Sequence, residues 1–408
     1  MRFPGFEGEW QTKKLGEIMN FKVTNSFSRD NLNYENGIVK NIHYGDIHTK
    51  YQTLFNIANE VTPYINNEIN IHRISEDNYC QEGDVIFADA SEDLRDVGKS
   101  IEVINLNGEK LLSGLHTLLA RPQKNIFHLG FNGYLFKSNL VRTQIQKESQ
   151  GTKVLSINTG RISKIKLSFP NPKEQKKIAS FLYLIDQRIA TQNKIIEQLE
   201  TLIKGLSEKI FSQKIRLKEA SDDWEVKTLG DVLIEQNEKT TTSDKYRILS
   251  STTKGLFYQS EYFNNEVASK DNSGYKILRK NQLVFSPQNL WLGNINVNTN
   301  FDIGIVSPSY KIFNFDENNV IVHYCKYFLK TSKMMFEYEQ CSDQGASVVR
   351  RNLNIDLFLN IPARFPSLQE QKTIVSFLSS IEEKIETEKG ILKQLENQKQ
   401  YLLQSLFI

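Results

Sequence analysis

The sequence predicts an α+β protein in which two similar mixed α/β domains are separated by two long antiparallel coiled-coil helices. Three observations lead to this prediction. The segment FPNPKEQKKIASFL begins at Phe169 and returns as FPSLQEQKTIVSFL at Phe365, 196 positions later. A helical pattern continues from each copy, and short β-rich runs precede it. The chain therefore reads as one module used twice, with an internal pseudo-two-fold repeat.

Three further landmarks recur in the same order in both halves of the chain. A period of about 200 residues is far longer than that of a solenoid, so the repeat indicates two similar working parts. The apolar runs within it predict buried strands, and the Gly, Asn and Ser clusters between them predict turns. The landmarks are WQTKKLGEI (10–18) and WEVKTLGDV (224–232), GDVIFADAS (83–91) and NQLVFSPQN (281–289), and SQGTKV (149–154) and DQGASV (343–348).

Both segments that follow the duplicated motif carry a coiled-coil pattern. Apolar residues recur at alternating spacings of four and three, and charged residues fill the rear face. A seam of this kind, sustained over more than four heptads, predicts paired helices rather than a helix buried on all sides. Pro172 and Pro366 mark the two helix starts. The seam positions are Ile178, Leu182, Ile185, Ile189, Ile196, Leu199, Ile203, Leu206 and Ile210, then Ile374, Leu378, Ile381, Ile385, Leu392, Leu395, Leu402 and Leu406.

Chain connectivity predicts that the two helices are antiparallel. A helix from Glu174 to Phe211 is about 57 Å long at about 1.5 Å per residue. The second domain must join the end of that helix to the start of the next, and a domain of about 150 residues has a radius of gyration of only about 15 Å. We therefore expect the domains at opposite ends of a helical rod. The predicted boundaries are 1–168 and 219–364 for the domains, and 169–218 and 365–408 for the helical regions.

Composition and motif searches restrict the classes of function. The chain has 408 residues, a net charge of +3 and three cysteines without a CxxC pair, which favours a reducing, cytoplasmic location. No apolar run is long enough to predict a membrane span or a secretion signal. The stretch DVGKS at 96–100 lacks the glycine that a phosphate loop needs at position 93, and no GxGxxG or HExxH is present. The sequence therefore predicts a protein that binds and positions rather than one that catalyses.

The repeated motifs resemble those of the specificity subunits of type I restriction–modification systems. The resemblance rests on the paired PxxxEQxxIxxFL segments at Pro170–Leu182 and Pro366–Leu378, the paired Trp and Leu-Gly-acidic openings, and the Gln-Gly turns. It covers essentially the whole chain. It implies two target-recognition domains, each reading one half of a bipartite double-stranded DNA sequence. The helices would then act as a spacer and as docking surfaces for two methylation subunits.

The resemblance also implies how the work is divided within the complex. The chain itself would be non-catalytic and hold no metal or cofactor. S-adenosylmethionine, ATP and Mg²⁺ would belong to the partners, which are the two methylation subunits and two restriction subunits. The duplicated EQ segment would offer one docking surface twice, at Glu174, Gln175 and Lys176 and again at Glu370, Gln371 and Lys372.

Loop residues with paired donors and acceptors or positive charge are the candidates for DNA contact. Adjacent arginines just before a helix make Arg350 and Arg351 the strongest of them, although any loop side chain can be an ordinary solvated one. In the first domain the candidates are His48, Thr49, Lys50, Ser91, Arg95, Lys99, Thr152 and Lys153. In the second they are Ser251, Thr252, Lys254, Gln288, Asn289, Trp291, Ser347, Arg350 and Arg351.

Two other functions remain open at the level of sequence. One is a coiled-coil scaffold with two protein-binding domains, which the weak net charge slightly favours. The other is a stand-alone methyltransferase, which the absence of a cofactor loop disfavours. A smaller expectation concerns His116, which lies among apolar residues in GLHTLL and is predicted to be a core histidine.

Overall fold

The computed structural model describes residues 2–217, 223–263, 271–344 and 350–407. The chain packs into two units. The first comprises the chain up to Asn193 and again from Gly390, and the second comprises Lys194–Lys389. Each unit thus contains one globular part and a portion of both long helices. The domain boundaries derived from the sequence follow chain order instead, and they stay a prediction.

The first unit begins with a series of short strands and helices and ends on a long helix. Its strands are β1 (Gln11–Lys14), β2 (Met19–Lys22), β3 (Leu32–Asn33), β4 (Val39–Ile42), β5 (Leu54–Asn56), β6 (Tyr64–Ile65), β7 (Val85–Ala88), β8 (Ala90–Ser91), β9 (Ser100–Asn105), β10 (Lys110–Ser113), β11 (Thr117–Pro122), β12 (Leu155–Ser156) and β13 (Lys166–Phe169). Its helices are α1 (Leu15–Ile18), α2 (Tyr44–Thr49), α3 (Phe131–Leu135), α4 (Asn139–Glu148), α5 (Thr159–Ile162) and α6 (Pro172–Phe211), the last of which continues into the second unit.

A mixed five-stranded sheet forms the centre of the first unit. Its strand order is β2-β11-β7-β9-β5, and β5 is parallel to β9. All four residues of β7 are buried, as the apolar run in GDVIFADAS predicts. A second sheet with the order β10-β4-β6-β3 lies in the same unit. The main core, which includes Phe87, Tyr134 and Ile178, joins the first sheet to α3 and α6.

The second unit uses the same plan with different strands. Its strands are β14 (Glu225–Thr228), β15 (Leu233–Gln236), β16 (Leu249–Thr252), β17 (Gly255–Tyr258), β18 (Lys276–Arg279), β19 (Leu283–Phe285), β20 (Ile295–Val297), β21 (Ile303–Val306), β22 (Lys311–Phe315), β23 (Ser342–Gln344), β24 (Arg351–Leu353) and β25 (Pro362–Phe365). Its helices are α7 (Gln259–Tyr262), α8 (Val322–Phe328), α9 (Ser332–Gln340), α10 (Ile355–Leu359) and α11 (Leu368–Ser405), the last of which continues into the first unit. The central sheet has the order β15-β22-β19-β20 and is antiparallel throughout.

The Trp and Leu-Gly landmark forms the same strand pair in both units. Strand β1 pairs with β13, with Gln11 opposite Phe169, and β14 pairs with β25, with Glu225 opposite Phe365. Each pair joins the start of a repeat to the strand directly before its long helix. The repeated sequence thus encodes a repeated attachment of the globular part to the helix.

The two long helices confirm the predicted seam and its direction. Buried or half-buried residues recur along α6 from Ile178 to Ile210, as the heptad pattern requires. In the first unit, Lys399 Nζ of α11 lies 2.5 Å from Asp186 Oδ1 of α6. In the second, Lys389 Nζ lies 3.0 Å from Glu200 Oε1. The helix partners therefore run in opposite directions, so the helices are antiparallel. In the described residues, no helix is both long and apolar enough to span a bilayer.

Candidate nucleic-acid interface

The three loops predicted to touch DNA in the first unit lie next to one another. Lys99 Nζ donates a hydrogen bond of 2.7 Å to the backbone oxygen of His48, whose ring Nε2 lies 3.1 Å from the backbone oxygen of Ala90. Strand β12 pairs with β8 at Ser91, which brings the loop 149–154 beside the second loop. The structure thus gathers three sequence-distant loops into one surface.

The predicted side chains of this surface differ in how freely they can meet a ligand. Lys50 is exposed but tied at its end, because its Nζ lies 3.0 Å from both Tyr34 Oη and Asp46 Oδ1. These two contacts fix the position of the ammonium group, so Lys50 suits a contact that positions a ligand rather than one that adapts to it. Thr49, Lys50, Arg95, Thr152 and Lys153 are exposed, and His48, Ser91 and Lys99 are half-buried.

His116 belongs to this surface, so its prediction as a core histidine is wrong. Its side chain is 53% exposed, and its Nδ1 lies 3.2 Å from Asp89 Oδ1. The ring centroid of Tyr44 lies 5.3 Å from that of His116 and 6.0 Å from that of His48. Burial raises the pKa of the Asp89 carboxyl, while the nearby imidazole of His116 opposes that rise.

The sequence gives no sign of this group because the cause is a backbone conformation. His116 has a φ of +54°, in the left-handed region, which turns its side chain out of the apolar run GLHTLL. Tyr44 and Asp89 were missed as well, since neither lies in a motif of its own. A short polar cluster of Tyr44, His48, Asp89 and His116 therefore adds to the predicted loops; we call it the histidine cluster.

The candidates of the second unit fall into two groups. In the first, Arg351 stacks over Trp291, with its guanidinium carbon 4.3 Å from the ring centroid, and also lies 3.0 Å from Glu339. The backbone oxygen of Gln288 accepts a hydrogen bond of 3.1 Å from the Arg351 amide. Arg350 is exposed, Asn289 is half-buried, and Ser347 lies outside the described residues.

The second group lies on the hairpin of β16 and β17. Lys254 is exposed at its turn, and Thr252 is half-buried beside it. Ser251 is only 3% exposed; its Oγ donates to Asn294 Oδ1 at 2.7 Å and accepts from Asn296 Nδ2 at 2.8 Å. The hydroxyl of Ser251 is thus committed to holding the hairpin, and Lys254 is the group that the hairpin presents to solvent.

The glutamine of each EQ motif is a buried clamp between globular part and helix. Gln175 Oε1 accepts from the His128 amide at 2.7 Å, and its Nε2 donates to the backbone oxygens of Ile126 and Pro170 at 3.0 and 2.8 Å. Because all three partners are backbone groups, one side chain replaces three hydrogen bonds that water would otherwise supply.

The same clamp recurs in the second unit at Gln371. Its Oε1 accepts from the Ile321 amide at 2.8 Å, and its Nε2 donates to the backbone oxygens of Asn319 and Pro366, both at 3.0 Å. Both glutamines have an exposed fraction of zero. We call Gln175 and Gln371 the glutamine clamps.

The glutamate of each EQ motif binds residues at the start of its repeat to the long helix on which the motif lies. Arg2 forms a two-pronged pair with Glu174, at 2.8 and 2.7 Å. In the second unit Glu370 accepts from Arg216 at 3.2 Å and from the indole nitrogen of Trp224 at 3.1 Å. Each arginine lies eight residues before the tryptophan that opens its repeat. That spacing was readable in the sequence and was missed.

These contacts change the interpretation of the predicted docking residues. Glu174, Gln175, Glu370 and Gln371 are buried and bonded within their own units, so their side chains offer no surface to a partner. The physical reason is that a motif at the join of domain and helix must satisfy the backbone groups that end the preceding loop. Of the six predicted docking residues, Lys176 and Lys372 are exposed.

A tyrosine reinforces the join in each unit. Tyr134 Oη donates to Asp186 Oδ2 at 2.8 Å in the first unit, and Tyr327 Oη donates to Glu382 Oε2 at 2.8 Å in the second. Lys326 also pairs with Glu382, at 2.7 Å. Each tyrosine lies on a short helix of the globular part, α3 or α8, and each carboxylate lies on the long helix of the same repeat.

Comparison with known proteins identifies what the two units are. The family model described as the type I restriction modification DNA specificity domain matches the chain twice, over residues 7–201 and 221–397. The chain belongs to this family. Specificity subunits of this family supply DNA recognition, assemble with the other restriction–modification subunits and leave catalysis to them. The resemblance and the function that the sequence predicts are therefore confirmed.

Individual relatives agree with the family match. The MjaVIII specificity subunit of a type I restriction enzyme from Methanocaldococcus jannaschii is 26% identical over 338 residues, which cover 76% of this chain and 76% of that protein. The S subunit from the type I system of M. genitalium has the same fold, with a TM-score of 0.51 and 16% identity over 100% of this chain and 99% of that one. A chain from a structure of type I complex assembly and conformational transition gives a TM-score of 0.58 at 13% identity, covering 97% of both chains.

The sequence predicts that this chain holds no metal or cofactor. Among the residues that the structure describes, no group of three or more His, Cys, Asp or Glu side chains is arranged to hold a metal ion. The family assignment is likewise consistent with no cofactor in this chain.

Proposed function

We propose that the specificity subunit reads a bipartite DNA sequence, with one half-site for each globular part. The observation that carries this proposal is a contrast between the two units. The contacts that attach the globular part to the long helix are the same in both, whereas the exposed candidate DNA-binding surfaces differ. The glutamine clamps and opening strand pairs are the same in both. The first unit presents the histidine cluster, whereas the second presents the Trp291–Arg351 stack and the hairpin with Lys254. Two readers on a common frame suit two different half-sites.

In this proposal the histidine cluster and the Trp291 region are the base-reading surfaces. Imidazole, carboxylate and phenol groups can donate to and accept from base edges, which carry a distinct pattern for each base pair in the major groove. The predicted lysines and arginines around them, including Lys153 and Arg350, would contact phosphates and fix the register of the duplex.

Each unit would also dock one methylation subunit on the outer face of its helices. Apolar side chains on a charged helix surface are candidates for such an interface, because they gain free energy when a partner covers them. Tyr183, Leu184, Ile391 and Tyr401 are exposed in the first unit, and Leu202 and Phe377 are exposed in the second. The exposed Lys176 and Lys372 would lie at the edges of these two surfaces.

The remaining parts of the complex follow from this division of work. S-adenosylmethionine would bind the methylation subunits, and ATP and Mg²⁺ would bind the restriction subunits, two of which would complete the cytoplasmic assembly. The rod of paired helices would convert protein length into the number of base pairs between the half-sites, since one turn of DNA is about 34–36 Å long.

Methylome sequencing of the host, with and without this gene, tests the proposal. We expect one bipartite motif, with a fixed number of unspecified base pairs, to lose methylation when the gene is deleted. Native mass spectrometry of the co-expressed complex tests the symmetric docking, with two methylation subunits per chain expected. A methylome that does not change would overturn DNA recognition, and a single docked subunit at saturation would overturn the symmetric docking.

A further inference from the structure

The second unit contains a cavity that none of the predicted contacts explains. Its volume is about 750 Å³. One wall consists of α6 between Ile203 and Glu208, and another of α11 around Glu382 and Lys389. The hairpin turn at 253–257, the residues after β20 and the end of α8 close the remaining sides. The cavity therefore lies between the globular part and the helices, beside the hairpin already considered for DNA contact.

The lining of this cavity carries an excess of positive charge. Its lysines are Lys204, Lys254, Lys326, Lys330 and Lys389, and its carboxylates are Glu208, Glu382 and Glu386. Five positive and three negative side chains leave a net charge of +2. A cavity of this size and charge suits an anionic ligand that is larger than a single ion.

The carboxylates of the cavity are already occupied by groups of the same unit. Lys326 pairs with Glu382 at 2.7 Å, and Lys389 lies 3.5 Å from Glu386. Glu208 accepts hydrogen bonds from the amide and hydroxyl of Ser332, at 2.6 and 2.8 Å. Glu382 and Glu386 are therefore paired with lysines of the lining, and both donors to Glu208 come from Ser332.

Three lysines of the lining are left for a ligand. Within the described ranges, Lys204, Lys254 and Lys330 have no carboxylate within ion-pair distance. Lys330 Nζ donates to the neutral Asn296 Oδ1 at 2.7 Å. The three lysines come from three parts of the lining: α6, the hairpin turn and the segment that follows α8.

The direct partner of the Lys330 ammonium is a neutral amide oxygen rather than a carboxylate. Removal from water lowers the pKa of Lys330 and the charge of Lys326 lowers it further, while the charge of Glu382 opposes this effect. A phosphate placed in the cavity would supply the missing negative charge and reverse that effect. The matching lysine of the first unit, Lys137, is instead half-buried and donates to Thr53 Oγ1 at 2.6 Å.

We propose that this cavity holds phosphates of the DNA backbone, with Lys204, Lys254 and Lys330 as the contacting cations. This inference rests on the proposed function and assigns it a site. Duplex DNA is favoured over an acidic segment of a partner protein because Lys254 is exposed at the turn of the hairpin, among the residues already considered for DNA contact. The contact would position the duplex without reading its sequence.

Salt dependence of DNA binding tests the proposal. The full chain, purified with its methylation subunits, is compared with Lys204→Gln, Lys254→Gln and Lys330→Gln, on duplexes with and without the target sequence. Each lost phosphate contact should flatten the log–log salt slope by about 0.9. Affinity for both duplexes should fall by the same factor, so that the ratio between them stays constant. Lys330→Arg should restore the slope.

A matched variant controls for the loss of one positive charge. Lys280 is exposed, lies outside the cavity lining and is 3.4 Å from Asp302, so Lys280→Gln should leave the slope unchanged. Lys204 and Lys254 lie on other elements than Lys330, so their variants keep the test valid if Lys330→Gln lowers the unfolding temperature.

The outcomes separate this proposal from the function on which it rests. Wild-type slopes in all three glutamine variants would overturn the phosphate site, and so would a loss of methylation subunits with the slope intact, which would indicate an acidic protein segment instead. Flattened slopes that are confined to the target duplex would also overturn it, because they indicate base reading. If the wild-type complex showed no preference for its target duplex, the proposed function itself would fail.

Discussion

The glutamine clamps show how single side chains can hold a globular part on a helix. Gln371 satisfies one backbone amide and two backbone oxygens, and its own side chain is fully buried. A buried backbone group without a partner costs about 1–3 kcal/mol. The main effect of the clamp is therefore to avoid the cost of unpaired backbone groups, which is larger than the net stabilisation from the hydrogen bonds themselves.

Gln371→Ala should destabilise the second unit alone. We expect a loss of about 2–4 kcal/mol in the free energy of local unfolding, since several buried groups lose their partner at once. Hydrogen exchange should accelerate in α8 and remain unchanged in α3. The matched variant Gln175→Ala should do the reverse. Equal acceleration in both helices for either variant would contradict a clamp that acts within one unit.

Lys137 provides a pH-dependent test at the same scale. Its surroundings exclude water, and Lys399 and Lys99 add repulsion, so its pKa is lowered from 10.5 to about 7. The unfolded chain then binds more protons than the folded one between these values, and stability rises with pH across that range. Relative to Lys137→Met, the wild type should gain up to about 1.4 kcal/mol per pH unit there and show no further change below pH 7.

Urea denaturation at a series of pH values measures this difference. Lys173→Met serves as the control, because Lys173 is an exposed lysine in the first turn of α6. A constant difference between wild type and Lys137→Met over the whole range would show that Lys137 keeps an ordinary pKa.

Individual site residues were less predictable from the sequence than the frame that holds them. Loop composition pointed to His48, Lys99 and Ser91, and the structure brings these together. Loop composition could not reveal His116, whose left-handed backbone turns it outward, or the burial of Ser251, which depends on Asn294, a residue 43 positions away in the chain. Both outcomes depend on tertiary contacts that leave no periodic signal.

The long helices are the elements for which the sequence was most informative. A heptad seam depends only on spacing along the chain. The predicted helix begins at Glu174, two residues after the observed start of α6 at Pro172, and it ends at Phe211, as observed. The strands around the central sheets are short and lack such a period. For them, the apolar runs at β7 and β19 were the reliable signal.

Lengthening both helices should change the spacing of the DNA target. Four residues inserted after Leu199, with four more after Lys389 to keep the seam paired, extend each helix by about 6 Å. We expect methylation to move to sites with more unspecified base pairs between unchanged half-sites, or to be lost. Methylome sequencing provides the measurement.

A substitution on one of the same helices controls for this experiment. Exchanging the exposed Glu197 for Gln, with no insertion, should leave the spacing as it is. Methylation that continued at the original spacing in the lengthened protein would rule out a rigid spacer.

For the whole molecule, the division into two readers predicts that damage to one half-site leaves the other intact. Arg350→Ala with Arg351→Ala should weaken discrimination in one half-site, and His116→Ala in the other. Loss of a base contact should cost about 1–3 kcal/mol at one position. Loss of a phosphate contact should flatten the salt slope by about one unit instead.

Binding to two duplex libraries, each randomised in one half-site, distinguishes these effects. If either variant relaxed both half-sites equally, the altered residues would be acting through the shared helices rather than through their own reader. The stack of Arg351 on Trp291 makes the single variant Arg350→Ala a useful companion, because it leaves that stack in place.

The glutamine clamps have a consequence for how such a gene can change. Each clamp contacts only main-chain atoms, so it makes no demand on the side chains of the loop that it holds. A domain acquired by recombination at the duplicated coding segment would bring the same main-chain groups whatever its loops encode. Mutations that change the recognised DNA sequence are thereby separated from mutations that would release the globular part from its helix. New sequence preferences can therefore arise without a loss of folding.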